Sequence, residues 1–153
     1  MPIETTIEIT TVKPVEILLV EDNPGDVTLT KKALTKSKLA NNLDVASDGE
    51  EALSYLRKEG KFSSAKRPDL ILLDLNLPKK NGVEVLKAIK SDVNLKRIPT
   101  VILTTSKKEE DILKSYNNHA NCYITKPVDL MQFHTVVSNI ENFWFSIVTL
   151  PTQ

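Results

Sequence analysis

Five stretches of the chain are rich in aliphatic residues, and each of them ends at polar or charged side chains. Their apolar centres lie at residues 17–20, 43–46, 70–73, 101–103 and 122–125, and the second is the weakest of the five. Short apolar runs bounded by polar residues are typical of buried strands. Helical segments lie between these runs, and strands that alternate with helices favour a parallel sheet covered on both faces.

Residues that can cap free backbone amides mark where the predicted helices begin. These residues are Asn23 before Pro24, Ser47 or Asp48, Asn81 with Glu84, and Ser106 with Glu109. The last two pairs have the spacing of a capping box. The second helix is predicted to run to Glu59 and stop at Gly60, because glycine commonly follows the end of a helix. The later helices are predicted at 82–90, at 107–117 and from Asp129 to Phe145.

The alternation predicts an α/β fold with a doubly wound, five-stranded parallel sheet of the flavodoxin-like type. The common strand order in such a sheet is 2-1-3-4-5, which makes the first and third strands neighbours where the order reverses. Glu21 and Asp22 follow the first strand, and Asp74 ends the third. Because ligands bind outside the carboxyl ends of the strands at this reversal, we expect the three carboxylates to converge there.

The residues at the strand ends predict a site for a divalent cation and a phosphoryl group. Two carboxylates ~4 Å apart repel by about 4 kcal/mol at an effective dielectric of about 20, so the acids need a cation, a proton or a base. Oxygen ligands alone favour Mg²⁺, with Mn²⁺ as the alternative, over zinc. Thr104 and Lys126 follow the fourth and fifth strands and suit an oxyanion. Together these groups predict phosphoryl transfer to an aspartate.

Each of these residues also has an ordinary structural interpretation when it is taken alone. Asp74 could cap a turn, Glu21 and Asp22 could favour the dipole of the first helix, and a strand-end threonine or lysine could be solvated. The prediction therefore depends on their occurring together at matching strand ends.

Composition narrows the function classes further. The chain has 153 residues, 41% of them hydrophobic and 26% charged, which suits one globular domain. Twenty acidic residues balance twenty basic ones, so no net field favours nucleic acid or an anionic membrane. The single cysteine, Cys122, suits a reducing compartment. The polar start lacks a signal pattern and no apolar run approaches about 18 residues, so we expect a cytoplasmic protein without a membrane span.

Four segments, which together span about residues 15–146, carry a family resemblance. They are Ile17-Leu-Leu-Val-Glu-Asp22, Asp69-Leu-Ile-Leu-Leu-Asp-Leu-Asn-Leu-Pro78 with Asn81-Gly82, Pro99-Thr-Val-Ile-Leu-Thr-Thr105, and Tyr123-Ile-Thr-Lys-Pro127. In this order they resemble the receiver domain of a bacterial two-component response regulator. The run 111–127 and the ending 140–145 further resemble the small, stand-alone response regulators of cyanobacterial phytochromes.

The resemblance implies a phosphoacceptor and a metal site. It implies that Asp74 accepts a phosphoryl group from a histidine kinase, and the narrower resemblance implies a kinase of the phytochrome type. It also implies that Asp22 and Asp74 bind Mg²⁺ through their side chains and Asn76 through its backbone carbonyl. Glu21 stands where receivers carry an acid that usually meets the metal through water.

The same resemblance implies how the phosphoryl group is bound and read. Thr104, with Thr105 beside it, and Lys126 are the implied phosphoryl-binding residues, and Tyr123 is the implied aromatic switch. The bond between Lys126 and Pro127 is often cis in such proteins, and proline is where a cis bond costs least.

A receiver accounts for nearly the whole chain. We expect a flexible N-terminal arm at 1–13, a receiver domain at 14–148, a tail at 149–153 and no output domain. Phosphorylation would then act by changing a surface that other proteins bind. The last predicted helix carries a wide apolar arc, which predicts a homodimer through the fourth helix, the fifth strand and the fifth helix. The predicted dimer surface comprises Phe133, Val136, Ile140, Phe143, Trp144 and Phe145.

Three other functions use similar residues. A haloacid-dehalogenase-like phosphatase carries a second aspartate two positions after its nucleophile, but here that position is Asn76, which cannot take a proton in that role. A flavodoxin-type binding module wants a Gly-rich or Ser/Thr-rich first loop, which this chain does not have. A receiver that is never phosphorylated in the cell and acts as a dimeric adaptor stays open at this point.

Overall fold

The five strands form one parallel sheet in the order β2-β1-β3-β4-β5 in a computed structural model that describes residues 13–37, 40–105 and 122–138. The strands are β1 (Val15–Val20), β2 (Asn41–Ala46), β3 (Leu70–Asp74), β4 (Thr100–Thr104) and β5 (Cys122–Thr125). Each neighbouring pair is parallel. The predicted flavodoxin-like strand order is therefore confirmed, and β1 and β3 are neighbours at the reversal of the order.

Three of the four described α-helices begin directly after predicted capping residues. The four helices are α1 (Pro24–Thr35), α2 (Gly49–Leu56), α3 (Gly82–Ser91) and α4 (Leu130–Ser138), with a 3-10 turn at Gly60–Phe62. Asn23 accepts from the backbone N–H of Asp26, Asp48 caps α2, and Asn81 forms a capping box with Glu84. The predicted helix at 107–117, its cap Ser106 with Glu109, and the continuation of the last helix to Phe145 lie outside the described residues.

The predicted end of the second helix is wrong by three residues, because α2 stops at Leu56 rather than Glu59. Lys58 adopts a left-handed backbone with φ of 56°. The N–H of Lys58 then donates to Tyr55 and that of Glu59 donates to Ser54, a pattern that closes a helix. A lysine takes the position that the prediction reserved for glycine, so the helix ends before Gly60.

The sheet is buried on both faces, with one hydrophobic cluster on each. All five residues of β3 are buried, as expected of a central parallel strand. Leu18, Ile71 and Leu73 point towards α2 and α3, whereas Leu19, Leu70 and Leu72 point towards α1 and α4. The exposed residues of β2, which has a sheet partner on one side only, explain why its sequence run is the weakest.

The position of Phe133 corrects one part of the predicted dimer surface. Its side chain is only 1% exposed and packs in the cluster between α1, α4 and the sheet. A side chain buried in the monomer core is not available to a partner, so its assignment to a dimer surface is wrong. The other predicted surface residues lie beyond the described part of the structure, either wholly or in their side chains: Val136, Ile140, Phe143, Trp144 and Phe145.

None of the described helices combines the length and the apolar character that crossing a membrane requires. The predicted N-terminal arm lies almost entirely outside the described residues, which begin at Lys13.

Candidate functional site

The pairing of β1 with β3 brings three acids to one rim of the sheet. Val20 is the register partner of Leu73, so the next residues along, Glu21 and Asp74, leave the two strands side by side. Each of Glu21, Asp22 and Asp74 offers a carboxylate oxygen, and these oxygens all lie within 4.8 Å of one another. The structure thus brings together the three acids that the sequence placed at the reversal of the strand order.

The three acids differ in their exposure to solvent. Glu21 is 1% exposed and Asp74 is 3% exposed, whereas Asp22 is open to solvent. Backbone amides orient the two buried carboxylates: Asn23 N–H donates to Glu21 Oε2 and Asn76 N–H donates to Asp74 Oδ1, each at 3.3 Å. Glu21 and Asp74 therefore form a fixed, buried part of the cluster, and Asp22 is its solvent-exposed member.

Lys126, which follows β5, reaches across the rim into this cluster. Its Nζ lies 2.7 Å from Glu21 Oε1 and 3.0 Å from Asp74 Oδ2. It also lies 3.0 Å from Asp26 Oδ2 and donates a hydrogen bond there. Three carboxylates contact this one ammonium and Asp22 lies beside them, so the cluster keeps an excess of negative charge.

Two pKa shifts follow from this arrangement. Burial, and then the hydrogen bond and negative charge of Asp74, raise the pKa of Glu21 from its ordinary 4.5 to about 7. Burial by itself would lower the pKa of Lys126, but its close contacts with Glu21, Asp26 and Asp74 outweigh burial and raise it. Lys126 therefore stays charged. Its single ammonium does not offset the burial of Glu21 and the effect of Asp74, so the pKa of Glu21 stays raised.

The residues present fit a hard divalent cation. Oε1 of Glu21 is fully buried and accepts no hydrogen bond of suitable geometry, although the Lys126 ammonium forms an ion pair with it. The potential ligands in the cluster are all carboxylate oxygens, the donors that Mg²⁺ and Mn²⁺ prefer. An ion bound there would satisfy the orphaned oxygen and reduce the excess negative charge.

The predicted phosphoryl-binding residues lie at the neighbouring strand ends. Thr104 ends β4 and is the register partner of Thr125, at the same rim as Asp74. The side chain of Thr104 lies outside the described part of the structure, and Thr105 is exposed. The backbone thus brings Thr104 to the same edge as the acids.

The remaining predicted residues flank this site. Asn76 is exposed and lies beside Asp74 through its backbone hydrogen bond. Tyr123 is half-buried in β5 and packs against the cluster on the side of α2 and α3. The peptide bond between Lys126 and Pro127 is cis.

Two residues at the site have roles that the sequence did not indicate. Asp26 lies in the first turn of α1, and this position brings its carboxylate to Lys126. Gly82 lies against Asp74 and Leu75: a Cβ at this position would collide with the Asp74 carbonyl oxygen and lie 2.6 Å from Leu75 Cα. Only glycine allows the start of α3 to approach the end of β3 this closely.

Comparison with known proteins agrees with this geometry. Residues 17–138 match the family model described as "Response regulator receiver domain". Response regulator Rcp1 of Synechocystis sp. is 48% identical over 138 residues, which cover 90% of this chain and 94% of Rcp1. Neither the phosphatase nor the flavodoxin-type alternative is consistent with such a match.

Solved structures give the same result. The phosphorylated cyanobacterial phytochrome response regulator RcpA is 54% identical with a TM-score of 0.72, and the match covers 91% of this chain and 99% of RcpA. The Mn²⁺-bound form of Rcp1 is 48% identical with a TM-score of 0.71, covering 90% and 99% of the two chains. The chain therefore belongs to the response regulator receiver domain family and is a signalling protein.

Proposed function

We propose that Asp74 accepts a phosphoryl group from the phosphohistidine of a histidine kinase in a reaction that requires Mg²⁺, with Mn²⁺ as the alternative. The observation that carries this proposal is the cluster itself. Three carboxylates lie within 4.8 Å of one another, and the Lys126 ammonium lies 3.0 Å from the oxygen of Asp74. RcpA, a relative crystallised in its phosphorylated form, and Mn²⁺-bound Rcp1 support the assignment.

The reaction forms one bond and breaks another. A carboxylate oxygen of Asp74 forms a bond to phosphorus while the bond from phosphorus to the histidine nitrogen breaks. The electron pair returns to the imidazole, which holds a proton on its other nitrogen and leaves as a neutral ring. The chain itself thus supplies the nucleophile and the groups that neutralise the transferred charge.

The ligand set for the metal consists of Glu21, Asp22, Asp74 and the backbone carbonyl of Asn76. When bound, the ion neutralises negative charge on the transferring group. Burial of Glu21 and Asp74 keeps water from screening these interactions. Asp22 is the exposed member, so the cation and the phosphodonor enter at its side of the cluster.

The phosphoryl-binding set consists of Lys126, Thr104 and Thr105. Lys126 is a mobile point charge that can pair with a phosphoryl oxygen while staying inside the acidic cluster. Thr104 ends β4 at the same rim, which is where a hydroxyl donor to that oxygen is needed. Self-catalysed transfer from small phosphodonors and self-catalysed hydrolysis would use the same groups.

The proposed donor is a phytochrome-type histidine kinase. RcpA, 54% identical to this chain, is itself described as a cyanobacterial phytochrome response regulator. The test is phosphotransfer from a purified phytochrome kinase in its two light states, with an unrelated histidine kinase as the control. Transfer that is equally fast from both kinases would contradict the assigned partner.

The proposed output is a changed protein-interaction surface read by other proteins and by a second copy of the chain. We assign the switch to Tyr123, and its half-buried position in β5 supports this role. The proposed dimer uses the segment 107–117, β5 and the last helix, with Val136, Ile140, Phe143, Trp144 and Phe145 and without Phe133. Analytical ultracentrifugation at micromolar concentration that finds only monomer would contradict the dimer.

Intact-mass spectrometry tests the central proposal. Incubation with acetyl phosphate and Mg²⁺ should add the mass of one phosphoryl group, and Asp74→Asn should abolish the adduct. Asp69→Asn is the matched control, since Asp69 precedes the opposite end of the same strand and accepts from Glu16 N–H rather than joining the site. A wild type without any adduct would refute phosphoacceptance and leave the adaptor function.

A further inference from the structure

The Lys126 ammonium has three carboxylate partners, and these divide into two kinds. Glu21 and Asp74 belong to the group of acids that could hold a metal ion. Asp26, at 3.0 Å, is the one described carboxylate that contacts the ammonium without belonging to that group. Asp26 therefore contributes to the lysine side of the site and not to the metal side.

Asp26 is fixed at its backbone and open at its side chain. Its N–H donates to Asn23 Oδ1 at 3.0 Å, which anchors it in the first turn of α1. Its side chain is 35% exposed, against 1% for Glu21 and 4% for Asp74. The ammonium thus contacts buried acids on one side and an acid at the surface of the cluster on the other.

A divalent cation and the ammonium would draw on the same two carboxylates, those of Glu21 and Asp74. Glu21 Oε1 and Asp74 Oδ2 are the atoms nearest to Lys126 Nζ within the metal group. Two cations held by one pair of carboxylates repel each other, so a bound ion would weaken the hold of both acids on the lysine. An acceptor outside the metal group can keep the ammonium in the site.

We propose that Asp26 is a positioning residue that retains the Lys126 ammonium when Glu21 and Asp74 bind the divalent cation. The inference rests on the proposed function, because it requires the cluster to bind that cation. Asp26 thus has a role distinct from that of the metal ligands. It lowers the competition between lysine and metal and keeps the ammonium ready for the phosphoryl group.

A simpler role for Asp26 predicts a different outcome. As a negative charge near the cluster, Asp26 would attract any cation whether or not Lys126 is present. A double-mutant cycle with Lys126→Met separates the two roles, because only the positioning role depends on the ammonium.

The experiment measures Mg²⁺ affinity by titration calorimetry for wild type, Asp26→Asn, Lys126→Met and the double variant. Asp26→Asn should weaken Mg²⁺ binding about tenfold with Lys126 present and about twofold in the Lys126→Met background. Glu50→Gln, which removes an exposed acid from the first turn of α2, is the control for the helix dipole and should leave the affinity unchanged. Equal losses in the two backgrounds, or no loss with Lys126 present, would overturn the role of Asp26.

A second measurement does not require any substitution of Lys126. Nitrogen NMR of labelled lysine reports how fast the ammonium protons exchange with water. At saturating Mg²⁺ the Lys126 protons should stay protected in wild type and exchange faster in Asp26→Asn, and equal exchange in the two proteins would overturn the inference.

If wild type takes up no Mg²⁺, the proposed function fails as well. If wild type binds Mg²⁺ and is phosphorylated, a failed mutant cycle overturns only the role of Asp26.

Discussion

Replacing Gly82 with alanine tests whether the close approach of α3 to β3 builds the site. Helix propensity alone predicts that Gly82→Ala stabilises the protein, by up to about 1 kcal/mol. The structure predicts the opposite sign. The new Cβ would lie 2.6 Å from Leu75 Cα and collide with the Asp74 carbonyl oxygen, and both partners are backbone atoms that cannot rotate away.

The size of the effect follows from the displacement that the methyl group requires. The distance to Leu75 Cα must lengthen from 2.6 Å to at least 3.4 Å for ordinary contact, which moves the start of α3 away from β3. This shift strains the hydrogen bond from Gly82 N–H to the Leu75 carbonyl, now 2.9 Å. Overpacking of this kind costs about 2 kcal/mol. Because Asp74 precedes Leu75, a displacement near 1 Å should also slow phosphorylation on the order of 100-fold.

Two assays check this prediction. Urea unfolding gives the change in the free energy of unfolding, and the initial rate with acetyl phosphate and Mg²⁺ gives the change at Asp74. Gly25→Ala is the comparison variant: its Cβ would press on the Asn23 side-chain oxygen, at 3.1 Å, rather than on backbone atoms, so its cost should be smaller. If Gly82→Ala left both the unfolding free energy and the rate at wild-type values, the close approach would have no role in the site.

Three further predictions concern the site and the core. In metal-free protein, burial and then Asp74 raise the pKa of Glu21, so the folded state binds the proton of the Glu21 carboxyl more tightly than the unfolded state does. Wild type should therefore lose stability relative to Glu21→Gln as pH rises from 4.5 to about 7. Urea unfolding across that pH range checks this. Phe133→Ala should cost about 3–5 kcal/mol of unfolding free energy, whereas Met131→Ala, at a side chain that is 80% exposed, should change it little. Tyr55→Phe removes a 2.6 Å hydrogen bond to Asp44 and should cost about 1 kcal/mol by the same assay, and no loss would mean that water replaces the bond.

Sequence reasoning predicted those parts of the fold that local chemistry determines. Apolar runs set the strands, and the capping residues Asn23, Asp48 and Asn81 set the starts of three helices. The position of Asp74 beside Glu21 followed from the common strand order, since a parallel sheet brings its strand ends to one edge.

The features that sequence reasoning did not predict depend on contacts in three dimensions. The end of α2 depends on the backbone conformation of Lys58, which a lysine rarely adopts and no pattern signals. The contact between Asp26 and Lys126 joins residues 100 positions apart in the sequence. Phe133 belongs to an apolar arc wide enough to suit either core or surface, and only the packing of α4 on the sheet decides between them.

Asp74 ends the strand that lies between β1 and β4, and every residue of that strand is buried. Asp74 therefore lies on a central strand of the described sheet, where hydrogen bonds on two sides and packing above and below resist displacement. Lys126, in contrast, follows β5, a four-residue strand at the margin of the described sheet with a neighbour on one side only. A shift of Lys126 towards a phosphoryl group on Asp74 would therefore displace this edge strand more readily than the central one.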